Sequence, residues 1–433
     1  MGFQVKIMTP FQKRSLIIFT IVVIIIVLIV LIIYRKRLNE TSNVEEVFDT
    51  KNIQIEDLLQ IQELYPLKSL KEFRTYNPSV FTIESNESFK QFEHNKNKPY
   101  YVFRMGNFTN CKNIFLKRWN ENERDTIESH TFIITPENEI LKITHPDISI
   151  AGCEKGCEDA RAFIHKKRLW ITSSSKSGEG CKTEMYLMCF DINELDYRKD
   201  GHNKKLKTTK PAFSNNRTLV NEIEPDRFFR LRFSTKKDKG RDQKNWMPFT
   251  YQNELYLVYS VNPHIILKCH IDEHDDSKNE LIKVAETHNG QIREDYRGGS
   301  QIIYAKKWNR RVRPVSNNKF SGEEEFKYEE EELFVGIIHV RENQSHRYLT
   351  YFYAFECIPP FRVKYVTDEF IFGKDGEHLK RIQFVSGLTR IYEGEVAYYY
   401  ITYGQDDCDS KLCKIREDTV LHVMKPVFNN KHK

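Results

Sequence analysis

The sequence predicts an all-β chain, a five-bladed β-propeller preceded by a single N-terminal transmembrane helix. Three observations lead there: one wholly apolar run near the N-terminus, a succession of short aromatic and β-branched runs after it, and no long helical periodicity between those runs.

The apolar run comes first. LIIFTIVVIIIVLIVLII, Leu16 to Ile33, carries no charge, and Thr20 is its one polar side chain. With Ser15 and Tyr34 added, a rise of about 1.5 Å per residue spans roughly 30 Å, the hydrocarbon thickness of a bilayer. A cleaved signal peptide has a shorter apolar stretch, about 7 to 15 residues, ending at a small-residue site. Here the run stops at Tyr34, Arg35, Lys36 and Arg37. The expectation is an uncleaved signal-anchor over residues 16–34, with 1–15 as a short cytoplasmic tail. Basic residues tie across it: Lys6, Lys13 and Arg14 before, Arg35, Lys36 and Arg37 after. Five acceptor patterns for N-linked sugar, at Asn39, Asn86, Asn107, Asn216 and Asn343, break the tie toward a luminal bulk. So do nine cysteines, all after the anchor. A single-pass type II protein of the Golgi or endoplasmic reticulum follows, with the plasma membrane as the alternative. The odd cysteine count leaves at least one thiol unpaired or paired between chains; Cys153–Cys157 and Cys408–Cys413 are close enough in sequence for local disulfides.

Residues 35–74 read as a luminal stem, with a short helical candidate at Ile55–Leu64. Residues 75–425 then carry runs such as YYVFRM, RLWITS, ELYLVYS, HIILKCHI, YLTYFYAFE and VAYYYITYG, separated by Gly, Asn, Asp and Pro. They group into five loose repeats beginning near residues 99, 158, 245, 298 and 384. Unequal spacing suits four-stranded blades whose rim loops vary in length, and a β-sandwich is the competing fold. Residues 426–433 form a C-terminal tail. A net charge of +6, from 67 basic and 61 acidic residues interspersed, gives no nucleic-acid signature and admits an anionic substrate. The acidic stretch Glu323–Glu332 reads as a solvated loop.

Polar residues stand directly before several strands. Glu158-Asp159-Ala160-Arg161 puts two carboxylates and an arginine at the head of an apolar run; an arginine fork can fix a carboxylate's geometry, although a turn salt bridge accounts for it too. Lys244-Asn245-Trp246 precedes ELYLVYS; the first two suit phosphate or sugar hydroxyls, and Trp246, with Phe249 and Tyr296 nearby, suits a sugar face. Arg297-Gly298-Gly299 pairs a phosphate-suited cation with close backbone approach. Gln383–Leu388 and Tyr403–Cys408, the latter containing Asp407, add two more. In a propeller such strand starts open onto one central funnel, so five junctions describe one site. Fourteen histidines make no metal pair, His339 and His346 included, and an acidic turn accounts for Asp406, Asp407 and Asp409. No metal and no cofactor is expected.

EDAR, KNWMPF with its ELYLVYSVNPH continuation, RGGSQ, FVGIIH, FECIPPF, IQFVSGL and ITYGQDDCDSKL, in this order, resemble a family of five-bladed propeller carbohydrate enzymes. These are the inverting β-mannoside phosphorylases and hydrolases and the related propeller-type β-mannosyltransferases. The resemblance covers roughly residues 75 to 420. It implies that Asp159 transfers the proton, with Glu158 and Arg161 as supports; Ala160 stands where the phosphorylases usually have proline. One carboxylate suffices when phosphate is the nucleophile or leaving group, with Lys244, Arg297 and Arg161 stabilising its charge. Hydrolysis needs a second, for which Glu294, Asp295, Asp406 and Asp407 are open candidates. The expected function is an inverting glycosyltransferase, a mannosyltransferase by the resemblance, moving sugar from a nucleotide-sugar donor to a glycan acceptor. A membrane-anchored β-mannoside hydrolase or phosphorylase, and a non-catalytic glycan-binding propeller, are the alternatives.

Overall fold

The computed structural model describes residues 53–55, 57–60, 74–83, 97–106, 129–144, 158–177, 182–195, 221–231, 233, 244–272, 275, 278–312, 326–342, 347–372, 382–406 and 409–427. These all belong to one compact unit, Lys51–Lys433. In chain order the strands are β1 (Ile53–Ile55), β2 (Asp57–Gln60), β3 (Arg74–Phe81), β4 (Tyr100–Gly106), β5 (Ser129–Ile134), β6 (Ile140–Ile143), β7 (Glu158–His165), β8 (Arg168–Ser177) and β9 (Lys182–Asp191). Then come β10 (Asn221–Ile223), β11 (Arg227–Leu231), β12 (Met247–Tyr251), β13 (Glu254–Ser260), β14 (His264–His270), β15 (Glu280–Thr287), β16 (Arg297–Gly298), β17 (Ile303–Val312) and β18 (Phe326–Arg341). The last are β19 (Tyr348–Glu356), β20 (Val363–Val366), β21 (Phe370–Phe372), β22 (Gln383–Glu393), β23 (Val396–Gln405), β24 (Asp409–Arg416), the helix α1 (Glu417–Val423) and β25 (Lys425–Pro426).

Four sheets have the size of propeller blades: β10-β6-β5-β4-β3, β11-β9-β8-β7, β12-β13-β14-β15 and β2-β24-β23-β22. The fifth is larger and branched, with eight strands around β18 and β19. This corrects the expectation of a five-bladed propeller to an all-β, propeller-like fold with four blade-sized sheets among the described residues. The reason is the 16-residue β18. Its first part pairs with β17 from Phe326 to Val335, and its far end pairs with β16 at Ile338 and His339. The described part of the acidic stretch, residues 326–332, is drawn into it: Glu332 accepts from Tyr304 (2.5 Å), Glu330 pairs with Lys306 (2.5 Å) and Glu331 with Lys364.

The sheets bury both faces because apolar residues recur at period two and occupy both sets. On β8, Leu169 and Ile171 pack toward Val102, Ile133 and Leu141 of the preceding sheet. Trp170 points the other way, into a cluster with Leu255, Leu257 and Leu267 of the following one. Further clusters join Phe249 to Phe334 and Phe355, Val335 and Phe352 to Tyr399 and Ile401, and Leu412 back to Val80 and Phe103. Every sheet thus packs on the next, and the last packs on the first.

Two segments depart from the sequence-based outline. Residues expected as stem, with a helix from Ile55, supply β1 and β2. β2 pairs antiparallel with β24 (Asp57 opposite Cys413) and β1 pairs parallel with β21 (Ile53 opposite Phe370). Pairing with open sheet edges outweighs a weak local helical preference. The span expected over residues 16–34, its tail 1–15 and residues 35–52 lie outside the described residues. Among the described residues no helix is long and apolar enough to cross a membrane, α1 having seven residues. The type II anchor, and the Golgi or endoplasmic-reticulum location drawn from it, are corrected to that extent: no described helix supplies the span.

Candidate active site

Each sheet ends in one strand that meets the end strands of other sheets: β3, β7, β12, β16 and β22. Side chains stitch these edges together. Ser79 Oγ accepts from Ala162 N (3.1 Å), joining β3 to β7. Gln301 donates to Val80 O (2.6 Å) and accepts from Leu388 N (3.2 Å), joining the segment after β16 to β3 and β22. Ser386 Oγ donates to Pro78 O (2.7 Å), and Ile302 N donates to Pro248 O (2.9 Å). The approach is so close that a Cβ on Gly298 would lie 2.2 Å from Asn245 O, and one on Gly387 would lie 2.5 Å from Val80 N. Only glycine fits there.

Asp159 stands at the head of β7 within a β-bulge between Glu158 and Arg161. Its φ of 53° is the left-handed conformation, and the bulge aims its side chain away from the strand's own alternation. Asn77 on β3 occupies a matching irregularity between Tyr76 and Ser79 with φ 47°. The two side chains meet: Asn77 Nδ2 donates to Asp159 Oδ1 at 2.7 Å. Asp159 keeps part of its surface open. Removal from water holds its carboxyl above the usual carboxylate range, with the neighbouring Glu158 charge adding, against Arg161, Lys244 and Arg104. Glu158 itself pairs with Arg104 at 2.9 Å, and Arg104 lies over the Tyr76 ring at 5.0 Å.

Arg161 is fully buried. Its Nε donates to Gly299 O (2.8 Å), Nη1 to Asp159 O (2.9 Å), and Nη2 to Asn245 Oδ1 (3.3 Å) and Gly298 O (3.5 Å). Burial pushes it down to about 10, with the Asp159 charge opposing. One guanidinium therefore ties three sheet edges and holds the backbone of Asp159. Lys244 and Arg297 are exposed and form no salt bridge among the described residues; their charges act on Asp159 and Asp295 at longer range. His339, opposite Arg297 on β18, is pushed down to about 3 by burial, with Arg161, Lys244 and Arg297 adding, so it stays neutral.

Of the residues expected at the site, Glu158, Asp159, Arg161, Asn245, Gly298 and Gly299 are brought together, with Lys244 and Arg297 within electrostatic reach. Asn245, at φ 65°, and the two glycines spend their oxygens on Arg161. Trp246 is 1% exposed, its ring 5.1 Å from Tyr259, and Phe249 and Tyr296 are buried as well, so these three faces are covered by protein. Asp295 is exposed and bound by Arg293 (2.7 Å), Glu294 is exposed, and Asp406 Oδ1 accepts from Ile382 N (3.0 Å). Asp407 lies outside the described residues, as do Cys153, Cys157 and Cys408. Among the described residues no group of His, Cys, Asp or Glu is placed to hold a metal ion. Sequence reasoning missed Asn77 and Arg104, and weighed His339 only as a metal ligand. Two of its five junctions, Gln383 and Gln405, pair with each other in one sheet, and the junction it lacked is Tyr76-Asn77-Pro78. The available signal was an Asn-Pro pair inside an aromatic and β-branched run.

No protein-family model matches this chain, and no curated protein matches it. Solved structures do. One is described as a putative glycoside hydrolase from Bacteroides ovatus: 12% identity, 87% of this chain and 96% of that chain covered, TM-score 0.43. A second comes from a mannoside phosphorylase family containing glycoside hydrolases that target β-1,2 mannosidic linkages in Candida mannan: 11% identity, 83% and 87% covered, TM-score 0.42. A third is the β-1,2-mannobiose phosphorylase from Listeria innocua in complex with β-1,2-mannobiose: 12% identity, 81% and 93% covered, TM-score 0.40. The second and third are described as mannoside phosphorylase structures, the class the motifs resemble. At these TM-scores the site itself, and not the likeness, carries the chemistry argued below.

Proposed function

We propose that this chain is a carbohydrate-active enzyme that moves a glycosyl unit, with inversion, between a phosphate-bearing partner and a sugar hydroxyl. The observation that carries the reading is the Asp159 carboxyl, which among the described residues forms no salt bridge, beside two exposed cations that form none either, Lys244 and Arg297. An inverting hydrolase needs a second carboxylate to activate water. Among the described candidates Glu158 is engaged by Arg104, Asp295 by Arg293 and Asp406 by Ile382 N, and Glu294 is exposed; Asp407 lies outside the described residues. Phosphate chemistry needs one carboxyl and positive charge, which is what this site offers.

In the synthetic direction the donor is a nucleotide sugar, with mannose as the sugar by the family resemblance, and the acceptor is a glycan. The bond from the anomeric carbon to the donor phosphate breaks as the acceptor oxygen attacks from the opposite face. The acceptor's proton passes to Asp159, and Lys244 and Arg297 take up the charge of the departing phosphate. A carboxyl held above its usual range is the better base for that step and the better acid for its reverse.

The test is Asp159→Asn, measured as single-turnover rate and melting temperature. Substrates are a panel of nucleotide sugars with manno-oligosaccharide acceptors, and manno-oligosaccharides with phosphate or water. The expected loss in rate is about a hundredfold to ten-thousandfold, with melting little changed. Normal turnover in the folded Asn variant refutes the assignment. Turnover with water alone moves the protein to the hydrolases, and sugar binding with no turnover under any condition leaves a binding module.

A further inference from the structure

Asp159 has two oxygens, and the structure treats them differently. Oδ1 takes the amide of Asn77 at 2.7 Å. Both residues sit at bulges on adjoining end strands, and both have the left-handed backbone, φ 47° and 53°. Two unfavourable backbone conformations at one level, each aiming a side chain at the other, mark a geometry that the surroundings enforce. The enforcement is visible around Asn77. Pro78 O accepts from Ser386 Oγ and from Thr402 Oγ1, both at 2.7 Å, which pins the bulge from the last sheet. Gly404 packs on the far side of the amide, where a Cβ would come within 2.3 Å of Asn77 Oδ1 and 2.9 Å of Asn77 N. That oxygen is buried and makes no hydrogen bond. An amide whose acceptor goes unused while its donor is directed at a carboxyl serves as a donor.

We infer that Asn77 is a positioning residue: its amide keeps Asp159 Oδ1 a pure acceptor and so confines the transferable proton to Oδ2. The inference rests on Asp159 being the proton-transfer group of the proposed function. A protonated carboxyl with Oδ1 engaged as acceptor carries its hydrogen on the other oxygen, and an ionised one is stabilised by the same bond. Removing the donor therefore disfavours the carboxylate. The Asp159-controlled limb of any rate profile moves to higher pH, whether Asp159 acts as acid or as base.

The experiment reads Asp159 directly. Full-length protein carrying 13C-carboxyl aspartate is titrated by NMR, and the Asp159 resonance is assigned by its disappearance in Asp159→Asn. Asn77→Gly removes the amide at a φ that glycine adopts without strain. It is expected to raise the Asp159 midpoint by about one pH unit, tenfold in ionisation constant. Asn77→Ser, whose hydroxyl stops short of Asp159, is the second variant and is expected to do the same. Ser79→Ala, which loosens the same strand through its bond to Ala162 N, is expected to leave the midpoint in place. An unmoved midpoint in whichever folded Asn77 variant is obtained overturns the inference, and so does an equal shift in Ser79→Ala. A fully active Asp159→Asn defeats the proposed function instead, a result separate from the titration.

Discussion

Replacing Arg161 by Met removes every donor of its guanidinium while keeping much of the side chain's volume. Three carbonyl or amide oxygens then lose good bonds, those of Gly299, Asp159 and Asn245, and Gly298 O loses a longer one. A buried acceptor left alone costs about 1–3 kcal/mol, or roughly 6 kcal/mol for the three. Against this stands the relief of a buried charge. Arg161 is pushed down from 12.5 to about 10, which corresponds to ~3 kcal/mol. The net loss is about 3 kcal/mol. Unfolding entropy of about 2.1 cal/mol/K per residue over roughly 380 residues, the unit Lys51–Lys433, converts this to a melting point lower by ~4 °C. The assay is differential scanning calorimetry paired with the turnover test for Asp159, whose backbone carbonyl the guanidinium holds. An Arg161→Met protein that melts with the wild type and loses only affinity for a phosphate-bearing substrate refutes the reasoning. It would make Arg161 a substrate ligand instead of a tie between sheets.

Two further outcomes follow from the same coordinates. His264 is pushed down to about 4 by burial, against a bond to Phe361 O at 2.8 Å. It is neutral when folded and protonates on unfolding below 6.5, so the stability it carries is present above 6.5 and is lost as pH falls toward 4, by ~2 kcal/mol at pH 5. Urea midpoints at pH 7 and pH 5 are expected to differ less in His264→Phe than in the wild type; equal differences refute this. Gly298→Ala places a methyl 2.2 Å from Asn245 O and 2.6 Å from Met247 Cγ, and is expected to cost about 1–3 kcal/mol with slowed turnover. A melting point equal to the wild type's refutes it.

Much of the fold was legible because strands that bury both faces leave dense aromatic and β-branched runs, and β8, β13, β14, β19 and β23 fall on runs picked out that way. The site was legible where polar residues interrupt such runs, at Glu158–Arg161, Lys244–Asn245 and Arg297–Gly299. What could not be read depends on partners distant in sequence. Whether Trp246 meets a sugar or protein is settled by how the second and third sheets pack, where it joins Phe163 and Trp170 in one cluster, not by its neighbours along the chain. Arg161 reads as a phosphate ligand in sequence, yet four oxygens from three separate segments occupy it. β1 and β2 are too short and polar to announce themselves; only the free edges of β21 and β24 make them strands. Asn77 was hidden for a related reason, since its meaning comes from Asp159, 82 positions away.

The pairing of β2 with β24 sets a timetable. Asp57–Gln60 lies opposite Lys411–Cys413, almost the whole unit away along the chain. A ribosome adding about 5–20 residues per second needs on the order of twenty seconds to a minute to cover that interval. During it β2 has no mate, and the sheet it completes does not yet exist. The bulk of each intervening sheet can form as it emerges, because β3–β6, β7–β9 and β12–β15 pair in chain order, whereas the ring stays open until the last strands arrive. Truncation just before β24 would therefore strand an early segment along with the late one. The nascent chain's exposure to chaperones is set at its two ends, not by its longest hydrophobic strands.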